Sequence, residues 1–177
     1  MFLTKYESPI GMLTLTAEGD ALTGLWIEGQ KYFMAGIRER SDCRAFCGGL
    51  DKACRWLDRY FSGERPVPSE LDLRPSGTAF QRMVWERLCR IPWGETVTYG
   101  TIAREIAGQT GRKASAQAVG GAVGHNPISI IIPCHRVVGA GGSLTGYAGG
   151  LDRKVWLLER EGTDISRLIR PRRGTAL

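Results

Sequence analysis

The sequence has no run of about 18 apolar residues, the minimum that a membrane-crossing helix needs. Its first residues, MFLTKYESPIG, include an early lysine but no apolar core long enough for a signal peptide. These two absences predict a cytoplasmic protein with no membrane partner. The five cysteines are an odd number, and in that compartment we expect them to be reduced thiols.

Histidine is also scarce, with two residues in the chain. Three cysteines, Cys43, Cys47 and Cys54, follow a C-x3-C-x6-C spacing that could suggest zinc. No histidine lies near them in the sequence and a fourth ligand is missing, whereas structural zinc sites are almost always four-coordinate. We therefore expect no metal and no other cofactor.

The composition excludes several unusual classes of protein. Apolar residues make up 42% of the 177 residues and charged residues 24%, and no internal repeat is present. These values are typical of an ordinary globular chain and argue against a disordered, collagen-like or coiled-coil one. A chain of this length buries roughly two thirds of its unfolded surface, so it needs no metal or disulfide to fold.

Positive charge is concentrated in the C-terminal half of the chain. Residues 1–77 hold 10 basic and 11 acidic residues, residues 78–161 hold 10 and 6, and residues 162–177 hold 4 and 1, which gives the net charge of +6. A basic half is typical of proteins that bind polyanions such as DNA or RNA. Many basic proteins bind no nucleic acid, so the charge by itself leaves this partner open.

The composition changes at residues 65–78, RPVPSELDLRPSGT, which are rich in proline and predict a linker. Before it, residues 1–64 predict a small antiparallel sheet with one helix. Strands are expected at residues 2–6, 12–16 and 22–27, and apolar residues at helical spacing predict a helix over 50–61 that Gly63 ends. The overall fold class is α+β.

After the linker, residues 79–162 predict a mostly helical domain. Thr78 is a suitable N-cap for a first helix, which Pro92 would end. Thr98 or Tyr99 begins a second helix, and the turn GQTGRK leads to a third, ASAQAVGGAVG. The last two resemble a helix-turn-helix, whose small residues allow close approach to a nucleic-acid groove or only tight helix packing.

The segment ISIIIPCHRVV contains the strongest chemical signal. Its isoleucines predict a short buried strand over 128–132, after which Cys134 emerges beside His135 and Arg136. A thiolate is the reactive form of cysteine, and a neighbouring imidazole and positive charge can favour it. Adjacent side chains of an extended chain point in opposite directions, so a direct contact between sulfur and imidazole would need a turn or a bridging water.

The complete pattern resembles one protein family. IPCHRVVG, with NPIS upstream and GYAGGLDRKVWLLEREG downstream, is similar to the O6-alkylguanine-DNA alkyltransferase family, from about Phe80 to Gly162. YESPIGMLTL and the following WIEG resemble the N-terminal domain of that family, which is ribonuclease H-like. The resemblance leaves residues 163–177, a basic tail, outside its range; this tail either contacts phosphates or is disordered.

The resemblance implies a DNA repair mechanism and a site. The protein would bind double-stranded DNA through the minor groove and flip O6-alkylguanine into a pocket, and Cys134 would accept the alkyl group irreversibly. We expect a monomer, because the sequence has no oligomerisation signature. His135 would activate the thiol through water and Glu161 would orient His135. Tyr99 would hydrogen-bond the flipped base. The pocket would be formed by Asn126, Val137, Val138, Tyr147, Ala148 and Gly149.

The resemblance also implies DNA contacts, and here the sequence departs from the family. Many members have an arginine in the recognition helix that replaces the flipped base, and Gln117 occupies that position. Either Gln117 fills the space, or Arg112 or Lys113 from the preceding turn does so. The contacts expected from the whole domain come from Gln81, Tyr99, Gly100, Arg112, Lys113, Gln117 and Arg136.

Two other functions compete with this interpretation. A protein of the same fold could bind alkylguanine or regulate transcription without reacting, although relatives of that type lack the cysteine that is present here at Cys134. A cysteine hydrolase using Cys134 and His135 would instead turn over esters or peptides. The number of reactions per molecule distinguishes the transferase from the hydrolase, because a thioether on cysteine is not reversed.

Overall fold

The computed structural model describes residues 1–35, 37 and 47–171, which fold into two compact units. Described residues up to Ser76 form the first unit together with Pro127–Ile131, and the other described residues form the second. Cys43, part of the cysteine spacing discussed above, lies outside the described residues. Within the described ranges, no helix is long and apolar enough to cross a membrane.

The first unit is built on a sheet of four strands. Strands β1 (Phe2–Ser8), β2 (Gly11–Glu18) and β3 (Ala21–Ile27) follow one another in antiparallel order. Tight turns at the predicted proline and glycine positions connect them, which keeps neighbouring strands adjacent in space. The three predicted strands are therefore confirmed, and each extends one to three residues beyond its predicted range.

The stretch predicted to be a linker contains ordered structure. It forms a 3₁₀ turn at Pro68–Glu70 and a short strand, β4 (Asp72–Leu73), that pairs with β3 in parallel. Trp56 Nε1 donates to the carbonyl of Val67 at 3.0 Å. The sheet is therefore not purely antiparallel, because local sequence does not reveal which distant strand a short segment will join.

Helix α1 (Gly48–Ser62) covers the sheet of the first unit. Its buried side chains, among them Trp56, Leu57 and Tyr60, recur at helical spacing and contact β1, β2 and β3. Gly63 ends the helix with φ of +99°, a conformation that glycine adopts at little cost. The predicted helix and its C-cap are confirmed.

The buried strand predicted over 128–132 does not form. Leu25 in β3 donates to the carbonyl of Pro127 and accepts from the N–H of Ser129, both at 2.8 Å, and beyond this single bridge the chain turns. Ile130 has φ of +70°, which no strand residue can adopt. Its burial was predicted correctly, but a run of apolar residues does not distinguish a strand from a buried turn.

The second unit begins with three helices. Helix α2 (Ala79–Leu88) has a capping box in which Gln81 N–H donates to Thr78 Oγ1 and Thr78 N–H donates to Gln81 Oε1. Helix α3 (Tyr99–Thr110) is capped by Thr98, and helix α4 (Ala116–Gly124) by Ser115. Trp85 Nε1 donates to the carbonyl of Ala122 at 2.9 Å and so joins α2 to α4.

Two predicted helix ends are wrong by a few residues. Helix α2 stops at Leu88 rather than continuing to Pro92, because the chain tightens into i to i+3 hydrogen bonds over the last turn. Helix α3 continues through Thr110 into the predicted turn, and Gly111 ends it at φ of +67°.

The rest of the second unit connects the Cys134 turn to the last helix. Strand β5 (Val97–Thr98) pairs in parallel with β6 (Val137–Val138), directly after the Cys134 turn. Helix α5 (Leu151–Arg160) follows. One buried apolar cluster stabilises this region and consists of Val138, Leu144, Val155 and Leu158.

Candidate active site and nucleic-acid interface

Cys134 lies at the start of a tight turn. The segment Cys134–Arg136 forms a 3₁₀ turn, in which Arg136 N–H donates to the carbonyl of Pro133 at 3.0 Å. Cys134 is buried, with 4% of its surface exposed. Because the chain turns here, the side chains of Cys134 and His135 are not constrained to point in opposite directions as they would be in an extended strand.

His135 and Glu161 form a buried pair. His135 Nε2 and Glu161 Oε1 are 2.7 Å apart, and both side chains are completely buried. A carboxylate only accepts hydrogen bonds, so Nε2 carries the proton. Burial lowers the pKa of His135, which keeps the ring neutral near pH 7 and leaves a lone pair on Nδ1. Nδ1 is buried and makes no hydrogen bond to any described residue.

Glu161 is ionised and held by two partners. Burial alone would raise its pKa, but His135 and the guanidinium of Arg136 outweigh burial and hold the pKa of this carboxyl well below its usual range. Arg136 Nε donates to Oε2 at 2.7 Å and Nη2 donates to Oε1 at 3.0 Å. The helix end that carries Glu161 is thereby attached to the Cys134 turn.

Arg136, one of the predicted DNA contacts, is buried in the structure. Its third contact, from Nη1 to the carbonyl of Ile91 at 2.6 Å, completes a buried set of hydrogen bonds, and 6% of the residue is exposed. A guanidinium used in this way orients Glu161 rather than a phosphate. Sequence alone could not show this, because the carboxylate that holds Arg136 lies 25 positions away.

The environment of the Cys134 sulfur contains opposing influences. Burial raises the pKa of the thiol, while a hydrogen bond from Asn126 and the charge of Lys154 act to lower it. The net direction is upward, so the resting group is a protonated thiol that needs a base to become a nucleophile. Asn126 is buried, and its Nδ2 also donates to the carbonyl of Ile132 at 2.8 Å.

Lys154 is a site residue that sequence reasoning missed. It is completely buried, and its Nζ donates to the carbonyls of Val137 at 2.6 Å and Thr145 at 2.9 Å. Burial lowers its pKa to about 8, opposed by the charge of Cys134. A signal was available, because Lys154 falls between Leu151 and Leu158 on the apolar face of α5.

Tyr99 is the first residue of α3, in the helix-turn-helix. Its hydroxyl is within 3.1 Å of the carbonyl of Thr145 and 3.2 Å of that of Gly146, to which it donates. Burial, and then the charge of Cys134, raises its pKa, so the phenol remains a donor. A cavity of about 600 Å³ beside it is lined by Thr98, Tyr99, Gly100, Ala116, Gln117, Gly120, Gly121 and Ala140.

The predicted DNA contacts lie in several places. Gln117 is exposed in the first turn of α4, and Arg112 and Lys113 are exposed in the turn between α3 and α4. Gly100 lines the cavity with Tyr99. Gln81 instead lies in the first turn of α2, where its side-chain oxygen accepts the capping hydrogen bond.

Five of the predicted base-pocket residues lie in β6 and in the stretch before α5. Val137 and Val138 are buried in β6. Tyr147 and Ala148 are half-buried and Gly149 is buried, in the stretch that leads into α5. The hydroxyl of Tyr147 is buried without a hydrogen bond to any described residue, and burial raises its pKa.

The other described cysteines have ordinary structural environments. Cys47 Sγ donates to the carbonyl of Gly19 at 2.8 Å. Cys89 is largely buried, and burial raises its pKa to about 11. Among the residues that the structure describes, no three histidine, cysteine, aspartate or glutamate side chains group closely enough to hold a metal ion.

The second unit thus combines a helix-turn-helix with a buried Cys134 beside the pair of His135 and Glu161. Residues 79–163 match the DNA-binding domain of 6-O-methylguanine DNA methyltransferase, and residues 1–75 match the ribonuclease-like domain of that family. The chain therefore belongs to the 6-O-methylguanine DNA methyltransferase family, as its resemblance predicted. Membership places it among the transferases that repair methylated DNA.

Individual relatives agree with this placement. A methylated-DNA–protein-cysteine methyltransferase of Mycobacterium bovis is 51% identical over 156 residues, which cover 88% of this chain and 88% of the relative. One from Haemophilus influenzae is 40% identical over 161 residues, covering 91% and 86%. The crystal structure of Mycobacterium tuberculosis OGT in complex with DNA has a TM-score of 0.76 at 43% identity and covers 95% of both chains. The predicted α+β fold is confirmed.

Proposed function

We propose that this protein repairs double-stranded DNA by moving a methyl group from O6 of guanine to Sγ of Cys134, once per molecule. The observation that carries the proposal is the buried pair of His135 and Glu161 next to the Cys134 turn, with Nε2 and Oε1 2.7 Å apart. This pair supplies what a protonated thiol lacks, a neutral base whose orientation is held by a carboxylate.

In the first step the thiol loses its proton. The lone pair on His135 Nδ1 accepts it, directly or through a water molecule, and Glu161 stabilises the resulting imidazolium. Lys154 and Asn126 stabilise the negative charge on sulfur, which burial would otherwise oppose. Because these groups are already in place before the reaction, little reorganisation is needed when the charge develops.

In the second step sulfur displaces guanine from the methyl carbon. The bond between S and C forms as the bond between O6 and C breaks, and its electrons remain on guanine. Guanine then takes up one proton, which balances the proton lost by the thiol. The Tyr99 hydroxyl is a protonated donor beside the cavity and supports this departure by hydrogen-bonding the base.

The product limits the protein to one reaction. A methyl thioether has no nucleophilic thiolate, and no step of cysteine redox chemistry restores the thiol. Each molecule of protein therefore repairs at most one lesion.

Helix-turn-helix residues support duplex binding through the minor groove. The cavity between α3 and α4 has small residues, Gly120 and Gly121, at its wall, so a nucleic-acid backbone can approach closely. Flipping a guanine into the protein costs a few kcal/mol, less where a lesion weakens the base pair. Exposed at the first turn of α4, Gln117 is our candidate for the side chain that fills the space left by the base.

The proposal is tested by methyl transfer from labelled O6-methylguanine duplex DNA, read as the intact mass of the protein. We expect one methyl group per molecule, mapped to Cys134 and absent from Cys134→Ser. Cys89→Ser is the matched control, because this largely buried thiol has a strongly raised pKa and should not matter.

Other outcomes would favour the competing functions. Tight binding to the lesion without transfer in the wild-type protein would identify a non-catalytic binder. Many turnovers of an ester or peptide would identify a hydrolase. Transfer to a cysteine other than Cys134 would contradict the assignment of the nucleophile.

A further inference from the structure

The chain beyond the family match forms an ordered segment against the site. Residues Ile165–Arg167 make a 3₁₀ turn, and Ile169 then forms a parallel bridge beside Ser143. Ile169 N–H donates to the carbonyl of Gly142 at 3.0 Å, and Leu144 N–H donates to the carbonyl of Ile169 at 2.9 Å. We call residues 165–169 the C-terminal strap.

Apolar side chains and close backbone packing hold the strap in place. Ile165 and Leu168 pack against the buried cluster of the second unit. Gly142 has φ of +80°, and a Cβ built on it would lie 2.7 Å from the carbonyl oxygen of Arg167. The strap therefore contacts the loop 140–146 through hydrogen bonds, side chains and a glycine that leaves it room.

The same loop carries the carbonyls that hold two site residues. The carbonyl of Thr145 accepts hydrogen bonds from the Tyr99 hydroxyl and from Lys154 Nζ, and that of Gly146 also accepts from Tyr99. Thr145 directly follows Leu144, whose N–H is bonded to the strap. A shift of the loop would therefore move the partners of both Tyr99 and Lys154.

We propose that the C-terminal strap positions the active-site loop for alkyl transfer, an inference that rests on the proposed function. Residues 165–169 act on the site through loop 140–146 and not through phosphates, since the contacts of the strap with the loop are backbone hydrogen bonds and apolar packing. Positioning requires that the rate of reaction depends on the strap while affinity for the duplex does not.

Two neighbouring glycines give a matched test. Gly141 and Gly142 both have positive φ, so alanine at either position strains the backbone, but a Cβ on Gly141 meets no atom within 4 Å. We expect Gly142→Ala to lower the single-turnover rate constant at saturating lesion DNA at least tenfold. The corresponding change for Gly141→Ala should be less than threefold, and affinity for undamaged duplex should change less than twofold in both.

A second pair approaches the contact from the strap. Ile169→Pro removes the N–H that donates a hydrogen bond to the carbonyl of Gly142. Arg170→Ala removes an exposed charge and leaves the backbone of the strap intact. Hydrogen exchange of the Leu144 amide reports loop order without any reaction. We expect faster exchange and a lower rate constant in Ile169→Pro only, so the proposal remains testable if one of the variants fails to fold.

Three results would overturn the proposal. The first is an unchanged single-turnover rate constant in both Gly142→Ala and Ile169→Pro. The second is faster hydrogen exchange of the Leu144 amide in Ile169→Pro with an unchanged rate constant, because the strap would then only stabilise the fold. Loss of duplex affinity at an unchanged rate would identify a phosphate-binding tail. A wild-type protein that transfers no methyl group would overturn the proposed function, whereas wild-type transfer with unaffected variants overturns the strap alone.

Discussion

Glu161 shows how a single residue connects stability to chemistry. Its carboxylate is completely buried, and it is ionised there because His135 and Arg136 both donate to it. Removing one partner of such a pair leaves an uncompensated buried charge, which costs more than the pair itself contributes. The residue that orients the base is therefore also one that the folded state depends on.

We expect Glu161→Gln to destabilise the protein at pH 7 by about 3–5 kcal/mol, the usual cost of breaking a buried ion pair. The pKa of Glu161 is lowered in the folded state, so its contribution to stability is complete above the unfolded value near 4.5 and is lost as pH falls towards the folded value. The difference in unfolding free energy between wild type and variant should therefore shrink below about pH 5.

Denaturant titrations at several pH values measure this difference. Burial lowers the pKa of His135, so the stability of both proteins also falls below about pH 6.5 as the unfolded state gains a proton. Glu159→Gln is the control, because Glu159 lies on the same helix and is exposed. A constant difference from pH 7 to pH 3 would show that folding does not lower the pKa of Glu161.

Lys154 gives a prediction for the pH dependence of the reaction. Its pKa is lowered to about 8, so the ammonium that stabilises the sulfur charge is lost as pH rises through that value. The transfer rate of the wild type should fall above pH 8, and Lys154→Met should be at least tenfold slower near pH 7 without this alkaline limb. A tenfold loss corresponds to about 1.4 kcal/mol of lost stabilisation.

Single-turnover rates with the free O6-alkylguanine base measure this effect without the contribution of DNA binding. Lys52→Met is the control, since Lys52 is an exposed lysine of the first unit. A lower melting temperature with an unchanged pH profile would mean that Lys154 only holds the carbonyls of Val137 and Thr145.

At the scale of elements, predictions succeeded where the determinants are local. Thr78, Thr98 and Gly63 cap helices at the expected places, because a cap needs only a few neighbouring residues. The strand predicted over 128–132 does not form, and the pairing of β4 inside the predicted linker was not foreseen, because pairing depends on partners far along the chain. In the site, Cys134 and His135 were evident from sequence, whereas Lys154 required the observed fold.

Two glycines of the helix-turn-helix allow an effect on protein stability to be distinguished from an effect on duplex affinity. Gly108 in α3 and Gly121 in α4 are exposed, and a Cβ on either meets no atom within 4 Å. Replacing either by alanine should stabilise the protein by up to about 1 kcal/mol, the helix preference of alanine over glycine. Of these two glycines, Gly121 lines the cavity beside Tyr99 and Gly108 does not. Gly121→Ala should therefore weaken duplex binding several-fold.

Thermal melts of Gly108→Ala and Gly121→Ala measure the expected gain in stability, and duplex titrations of the same variants measure the expected loss of affinity. The reason is steric, because the proposed function brings the nucleic-acid backbone to this cavity wall, where the added methyl group would obstruct it. Equal duplex affinity for both variants would show that the cavity wall at Gly121 does not approach DNA.

For the whole molecule, positive charge is unevenly divided between the two halves of the chain. Residues 1–77 have one more acidic than basic residue, and the excess of positive charge lies beyond them. Part of that charge is used internally, because Arg136 and Lys154 are buried. The cations available to phosphates therefore include Arg112 and Lys113, which are exposed in the turn of the helix-turn-helix.

Salt dependence of duplex binding measures how many phosphates these cations neutralise. Each phosphate contact contributes about 0.9 to the slope of log affinity against log salt, so Arg112→Ala with Lys113→Ala should reduce the slope by about 1.8. Lys5→Ala with Lys52→Ala removes the same charge from exposed positions of the first unit and should leave the slope unchanged. Equal reductions in both double variants would mean that DNA responds to net charge rather than to contacts in the turn. A reduction confined to Arg112→Ala with Lys113→Ala would identify the turn between α3 and α4 as the phosphate-binding part of the surface. Removing two charges weakens the long-range field of the protein to a similar extent in both double variants, because salt screens that field. Only a cation in direct contact with a phosphate releases a counterion and so changes the slope.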